Sequence, residues 1–205
     1  MDALIIFIKN PELGKVKTRL AATIGDQNAL KVYHFLSNHA KEVAIELNAD
    51  RFLFYSSFID NSDIWDKDYF IKKLQDPSPD LGQKMFAAFS QLKDQGYQKV
   101  MIMGSDCYDI NVDILIEGFA QLDSHEVVLG PAFDGGYYAI GFNFNLLAEK
   151  DLLTDVFLNK TWSHDQVANE AKSTIAKHGF SLHQLPTLSD VDVEADIENF
   201  RKKIF

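Results

Sequence analysis

Cysteine is nearly missing from this chain, with one residue, Cys107, in 205. An internal disulfide is therefore excluded, and so are most zinc sites built on cysteine ligands. No apolar run approaches the ~18 residues of a membrane-spanning helix, so no span is expected. Positive charge is also scarce. Twenty Lys and Arg stand against thirty Asp and Glu, for a net charge of −10. Nucleic acid is disfavoured as a partner, because backbone phosphates call for an extended basic face. Gly14-Lys15 is followed by Val16 and not by Ser or Thr, so the Walker A motif is absent, and there is no G-x-G-x-x-G. A P-loop NTPase and a dinucleotide-binding dehydrogenase are disfavoured accordingly. A serine hydrolase lacks its G-x-S-x-G elbow. The six histidines show no H-x-x-x-H spacing, and only His164, after Trp162-Ser163, is kept as a site candidate. The Met1-Asp2 start has no basic n-region or cleavage pattern, so no signal peptide is expected, and a reducing cytoplasm is the expected location.

What is present is ordinary globular material, 46% hydrophobic and 24% charged. Residues 1–205 suit a single domain with a substantial core. Apolar runs of strand length alternate with helical patterns. Strands are expected over 3–8, 51–56, 69–74, 99–103, 126–129, 137–142 and 181–185. Helices are expected over 26–47, 81–95, 112–122, 164–178 and 193–203, with short ones within 145–158. Gly179 is the expected C-cap of the 164–178 helix. This alternation predicts an α/β fold with a mostly parallel sheet and right-handed crossovers.

In such sheets ligands gather beyond the carboxyl ends of the strands. The first strand runs into Lys9-Asn10-Pro11-Glu12-Leu13-Gly14-Lys15-Val16-Lys17-Thr18-Arg19. Lys9, Lys15, Lys17 and Arg19 against Glu12 give a local charge of +3, which leaves −13 elsewhere. A cationic loop with a glycine turn suits the diphosphate or triphosphate of a nucleotide. The competing reading is solvated loop lysines. The fourth strand runs into Gly104-Ser105-Asp106-Cys107. Asp106 is placed to hold Mg²⁺ or Mn²⁺, which take one or two carboxylates and complete their shell with water and substrate phosphate. Its alternative is a turn or helix-capping role, for which Asp113 is also a candidate. Gly130-Pro131-Ala132-Phe133-Asp134-Gly135-Gly136 reads either as a hairpin turn or as a loop whose glycines admit a ligand and whose Asp134 acts as a general base. Ser189-Asp190-Val191-Asp192 is an acidic surface loop or the source of a second metal carboxylate, Asp192.

Taken in order, F-I-K-N-P-E-L-G-K-V-K-T-R-L at 7–20, D-L-G-Q-K-M at 80–85, G-S-D-C at 104–107, L-G-P-A-F-D-G-G-Y-Y-A-I-G at 129–141 and L-S-D-V-D at 188–192 resemble the bacterial selenodomain-associated transferases. That glycosyltransferase-like family is associated with nucleotide-diphospho-sugar transfer. The resemblance covers nearly the whole chain. It implies a three-layer α/β/α sandwich of the nucleotide-diphospho-sugar transferase (GT-A-like) type. It also implies that Lys9, Gly14, Lys15, Lys17 and Arg19 face phosphate, that Asp80, Gly82 and Gln83 lie near the nucleotide, and that Asp106 faces the metal. The family pattern has Pro after G-S-D-C, where this chain has Tyr108. The expected function is metal-dependent transfer from a nucleotide sugar to an acceptor that the sequence does not name, with Asp134 as base. The alternatives are a nucleotidylyltransferase that joins a nucleoside triphosphate to a phosphorylated acceptor, and a non-catalytic nucleotide-binding protein. The sequence is silent on oligomeric state.

Overall fold

A computed structural model describes residues 1–147 and 152–205. In chain order the elements are β1 (Asp2–Ile8), α1 (Thr18–Ile24), α2 (Asp26–Glu46), β2 (Asp50–Tyr55), β3 (Ile71–Leu74), α3 (Leu81–Asp94), β4 (Lys99–Gly104) and α4 (Val112–Gln121). They continue with β5 (Val127–Pro131), β6 (Tyr137–Asn143), α5 (Leu152–Phe157), α6 (Val167–Lys177), β7 (Leu182–Gln184), a 3-10 turn at Glu194–Ile197 and α7 (Arg201–Ile204). The strands form one sheet in the order β3-β2-β1-β4-β6-β5-β7. β6 alone among them runs antiparallel to its neighbours.

The apolar runs read as buried strands because both faces of the sheet are covered. In β1, Leu4, Ile6 and Ile8 face a core shared with α2 and α4, while Ala3 and Ile5 face a second core under α3, α5 and α6. Helices on both faces make the three layers. A satellite cluster joins Leu20 of α1, Val32 and Leu36 of α2, and Val191, Ile197 and Phe200. It fastens the C-terminal segment beside the loop that follows β1.

The helix α1 is not among the expected elements, since its seven residues are too short for a periodic signal. Two expectations need correction. The 164–178 helix begins only at Val167, after a turn that His164 closes. The 193–203 helix is broken, because the Asp196 carboxylate accepts the backbone N–H groups of Asp192 and Val193 at 2.7 and 2.8 Å and closes a tight turn there. Of the short helices expected within 145–158, α5 is present, and residues 148–151 lie outside those described. Gly179 does end α6, with φ +77° and its N–H on the Ala176 carbonyl at 3.0 Å.

Candidate functional site

A short segment, 188–191, draws the site together. Leu188 pairs with Ala132 and Asp190 pairs with Cys107 as isolated bridges. Val191 N–H reaches the Asp106 carbonyl at 2.9 Å, and Phe133 N–H reaches the Leu188 carbonyl at 3.0 Å. The exit of β4, the β5–β6 turn and the segment after β7 therefore meet at one edge of the sheet. β6 runs antiparallel, so its turn lies at the carboxyl edge with the loops after β1 and β4. Asp106, Asp134, Asp190 and Asp192 come from three separate stretches of chain and share this edge.

Two cavities adjoin here, with Phe7, Leu81 and Gly104 common to both. The smaller, about 410 Å³, is lined by Lys9, Lys17, Lys84, Ser56, Gln75 and Asp106 among others. The larger, about 550 Å³, is lined by Arg19, Asp134, Asp165, Asp190 and Asp192 together with the rings of Tyr137 and Trp162. The first is a basic pocket and the second an acidic one, and Asp106 stands near their junction.

The cationic loop divides between them. Lys17 has only 4% of its side chain exposed; its Nζ lies 3.0 Å from Asp106 Oδ2 and 3.9 Å from Asp192 Oδ1, and donates to the Val191 carbonyl at 2.6 Å. Its backbone is left-handed, φ +48°, at the N-cap of α1, a conformation that costs a non-glycine residue about 1–2 kcal/mol. Arg19 lines the larger cavity and pairs with Asp192 at 3.3 Å. Lys15 departs from expectation. It is 70% exposed, pairs with Glu12 at 2.7 Å and lines neither cavity. Gly14, φ +76°, supplies the turn closed by the Lys15 N–H on the Glu12 carbonyl. Lys17→Met should therefore do more than weaken anion binding. It removes the buried cation between Asp106 and Asp192. The expected loss of stability is about 1–3 kcal/mol, less than for a fully buried pair because half of Asp106 is open to water. Urea unfolding with and without MgCl₂ measures it, and unchanged stability would remove Lys17 from this role.

Asp80, Gly82 and Gln83 line neither cavity. Asp80 caps α3, its Oδ1 accepting the Gln83 N–H at 2.7 Å. Gly82 is a packing glycine. A Cβ there would fall 1.9 Å from the Phe157 carbonyl oxygen and 2.8 Å from the Trp162 ring. The neighbours Leu81 and Lys84 are the ones that face the cavities.

The hairpin-turn reading of the Asp134 stretch holds structurally. Ala132 N–H bonds to the Gly136 carbonyl at 2.9 Å, and the pairing shifts register between Gly130 and Pro131, so this is a bulged hairpin. Asp134 also lines the larger cavity. Gly135 is required at φ +90° because a Cβ would strike the Asp165 backbone 2.1 Å away. The close approach there is to the protein's own chain. His164 lines the same cavity, but both of its ring nitrogens are engaged. Gln166 N–H donates to Nδ1 at 3.2 Å, and Nε2 faces the Thr161 carbonyl at 3.1 Å.

Neither Asp106 nor Asp113 caps α4; Asn111 does, accepting the Ile114 N–H at 3.1 Å. Tyr108 has a structural task. It packs on Phe200 with ring centroids 4.2 Å apart and on Phe35 at 5.3 Å. Cys107 is buried, and burial together with Asp190 pushes its thiol up to about 12, which leaves it unreactive.

Asp190 is the residue that sequence reasoning left in the background. Burial first, then the charges of Asp106 and Asp134, raise its carboxyl from 3.8 to about 7, against the pull of Lys17. The folded state therefore holds this proton more tightly than the unfolded chain. Its stability is unaffected below about pH 4 and falls as pH rises towards 7, by an upper bound of roughly 4 kcal/mol. Asp190→Asn should accordingly melt at a higher temperature than wild type at pH 8 and at the same temperature near pH 4. Parallel melting curves at both pH values would defeat this assignment.

No curated protein matches the chain. A structure described as a "putative nucleotide-diphospho-sugar transferase" from Desulfovibrio desulfuricans G20 is 30% identical, covers 94% of this chain and 82% of its own, and superposes with a TM-score of 0.83. A cytidylyltransferase from Leptospira borgpetersenii is 14% identical over 98% of this chain and 84% of its own, with a TM-score of 0.62. The inositol-1-phosphate CTP transferase of T. maritima is 12% identical over 100% and 94%, with a TM-score of 0.58. The last two share the fold. A family profile matches residues 39–164. With that match and the 30% identical relative, the chain belongs to the bacterial family described as "Uncharacterized protein conserved in bacteria (DUF2064)".

Proposed function

We propose that this protein is a metal-dependent transferase that moves a glycosyl group from a nucleotide-diphosphate sugar to an acceptor hydroxyl. The observation that carries the reading is the polarity of the paired cavities. Lys9, Lys17 and Lys84 line the smaller one, carboxylates line the larger, and Asp106 lies near their junction. The nucleotide diphosphate occupies the basic side and the acceptor the acidic side. Asp134 takes the proton of the acceptor hydroxyl as the new glycosidic bond forms. The bond from the sugar carbon to the diphosphate breaks, and its electron pair leaves on the diphosphate.

The donor set suits a hard cation. Among the described residues no three His, Cys, Asp or Glu side chains form a ready-made metal centre. Two partly exposed carboxylates, Asp106 and Asp192, flank the buried Lys17 ammonium. That is the sparse oxygen set that Mg²⁺ or Mn²⁺ uses when water and substrate phosphate supply the rest. When bound, the ion supplies charge against the departing diphosphate. Lys17 and Arg19 add to that charge from the protein side.

Asp106→Asn preserves size and removes charge. Isothermal titration of nucleotide sugars and nucleoside triphosphates, with and without Mn²⁺, tests the reading. Wild type should prefer nucleotide sugars with Mn²⁺ present, and the variant should lose the metal-dependent part of the affinity. Identical metal dependence in both proteins would exclude Asp106 as a ligand. A preference for triphosphates would favour nucleotidyl transfer. Tight binding without turnover would favour a nucleotide sensor.

A further inference from the structure

We infer that the acceptor is a small hydroxyl-bearing molecule without a phosphate or other anionic group, held in the larger cavity between an acidic mouth and an apolar floor. This rests on the transferase reading and narrows it to a class of acceptor. It also separates that reading from nucleotidyl transfer to a phosphorylated acceptor.

The first support is charge. Asp134, Asp165, Asp190 and Asp192 line the cavity, and Arg19 is the cation among its lining residues. Arg19 is already paired with Asp192. Lys17 is held on Asp106 and the Val191 carbonyl and lines the neighbouring cavity. His164 contributes no free donor, since its Nδ1 accepts from Gln166 N–H, which leaves the ring proton on Nε2 toward Thr161. Without the divalent ion, a phosphate entering here would shed water and meet Asp134 and Asp165 while Arg19 is already paired. Unpaired like charge is an effective device for rejecting a ligand. Hydroxyl and ammonium groups, by contrast, donate hydrogen bonds to carboxylates.

The second support is the floor. Tyr137 and Trp162 meet edge to face with centroids 6.5 Å apart, beside Met85 and Ile102. Among the described residues the Tyr137 hydroxyl donates to the Met85 sulfur alone, at 3.8 Å. A thioether is a weak acceptor, and a phenol in so apolar a setting ordinarily finds a better one. A ligand oxygen supplies it. A ring with an apolar face and several hydroxyls, such as a sugar or cyclic polyol, satisfies the floor and the mouth together.

Saturation-transfer NMR on the full chain tests this with glucose, glucosamine and glucose 6-phosphate as probes, with and without UDP and Mg²⁺. Glucose and glucosamine should give signals, and glucose 6-phosphate should bind at least tenfold more weakly. Tyr137→Phe keeps the ring and should weaken glucose binding severalfold with an unchanged melting temperature. Raising NaCl from about 50 to 500 mM screens the carboxylates and should narrow the gap between glucose and its phosphate. The Asp134→Asn, Asp190→Asn double variant should narrow it at low salt. Equal or tighter binding of glucose 6-phosphate, absence of binding by all three probes, or a gap that neither salt nor the double variant moves would overturn the inference. Failure of UDP, GDP, CDP, ADP and dTDP alike to bind in separate titrations would instead overturn the transferase reading, while the metal-free sugar comparison still reports on the cavity.

Discussion

Asp134→Asn is expected to lower turnover by ~10²–10⁴-fold, the usual contribution of a positioned general base, with nucleotide affinity nearly unchanged. The geometry makes the substitution clean. Asp134 Oδ1 accepts the Gly136 N–H at 2.8 Å, which pins the carboxylate and leaves its second oxygen for a substrate. An asparagine keeps that bond through its own carbonyl oxygen, so the hairpin survives while the proton acceptor is lost. The measurement is kcat with the preferred nucleotide sugar, alongside the dissociation constant of the nucleotide. Equal losses in affinity and turnover would mean that Asp134 shapes the donor side. Unchanged turnover would reduce it to a turn residue.

The second large effect lies away from the cavities. Asp63 receives the Lys72 ammonium at 2.7 Å and the Tyr55 hydroxyl at 2.6 Å, with 11% and 7% of the Asp63 and Lys72 side chains exposed. Lys72 also donates to the Asp60 carbonyl. Asp63→Ala strands the Lys72 charge in a nearly dry place and should cost about 3–5 kcal/mol. Lys72→Met combined with Asp63→Leu removes both charges and should cost less than the single change. Urea unfolding of the set checks this, and additivity of the two single effects would show that the pair is not coupled. A functional consequence follows through β3. Gln75, just beyond it, donates to the Ile8 and Phe54 carbonyls at 3.3 and 3.1 Å and lines the smaller cavity. A loosened β3 should therefore weaken nucleotide binding as well.

Much of this architecture was legible in the chain because the sheet is covered on both faces. That arrangement writes strands such as Leu4–Ile8 and Val100–Met103 as unbroken apolar runs. The carboxyl-edge loops were legible for the same reason, since each follows such a run directly. What could not be read was side-chain direction within a loop. Lys15 and Lys17 are two residues apart and equally basic, yet a left-handed backbone at Lys17 turns one inward, while Glu12 holds the other on the surface. Asp190 and Asp192 present the same problem. Both line the larger cavity, and Asp190 is the one paired through its backbone with Cys107. D-L-G-Q carries structural tasks that its sequence does not display. Its glycine answers to the Trp162 indole and its aspartate to a helix end, requirements of packing and capping that a nucleotide-side motif would imitate in sequence.

The reversed direction of β6 has an evolutionary consequence. The basic cavity is built from segments that follow β1, β2, β3 and β4, all before residue 107, and most of these feed helices that must return across the sheet. Their lengths are tied to the architecture. The acidic cavity draws its distinctive walls from a hairpin tip at 132–136, the stretch before α6 and the segment after β7. A hairpin tip carries no crossover, so it can lengthen, shorten or change composition without re-registering the sheet. Loop length in the first half is thus constrained by the sheet, and loop length around the acidic cavity is not. On the transferase reading, that freedom would let relatives keep one donor chemistry and differ in acceptor.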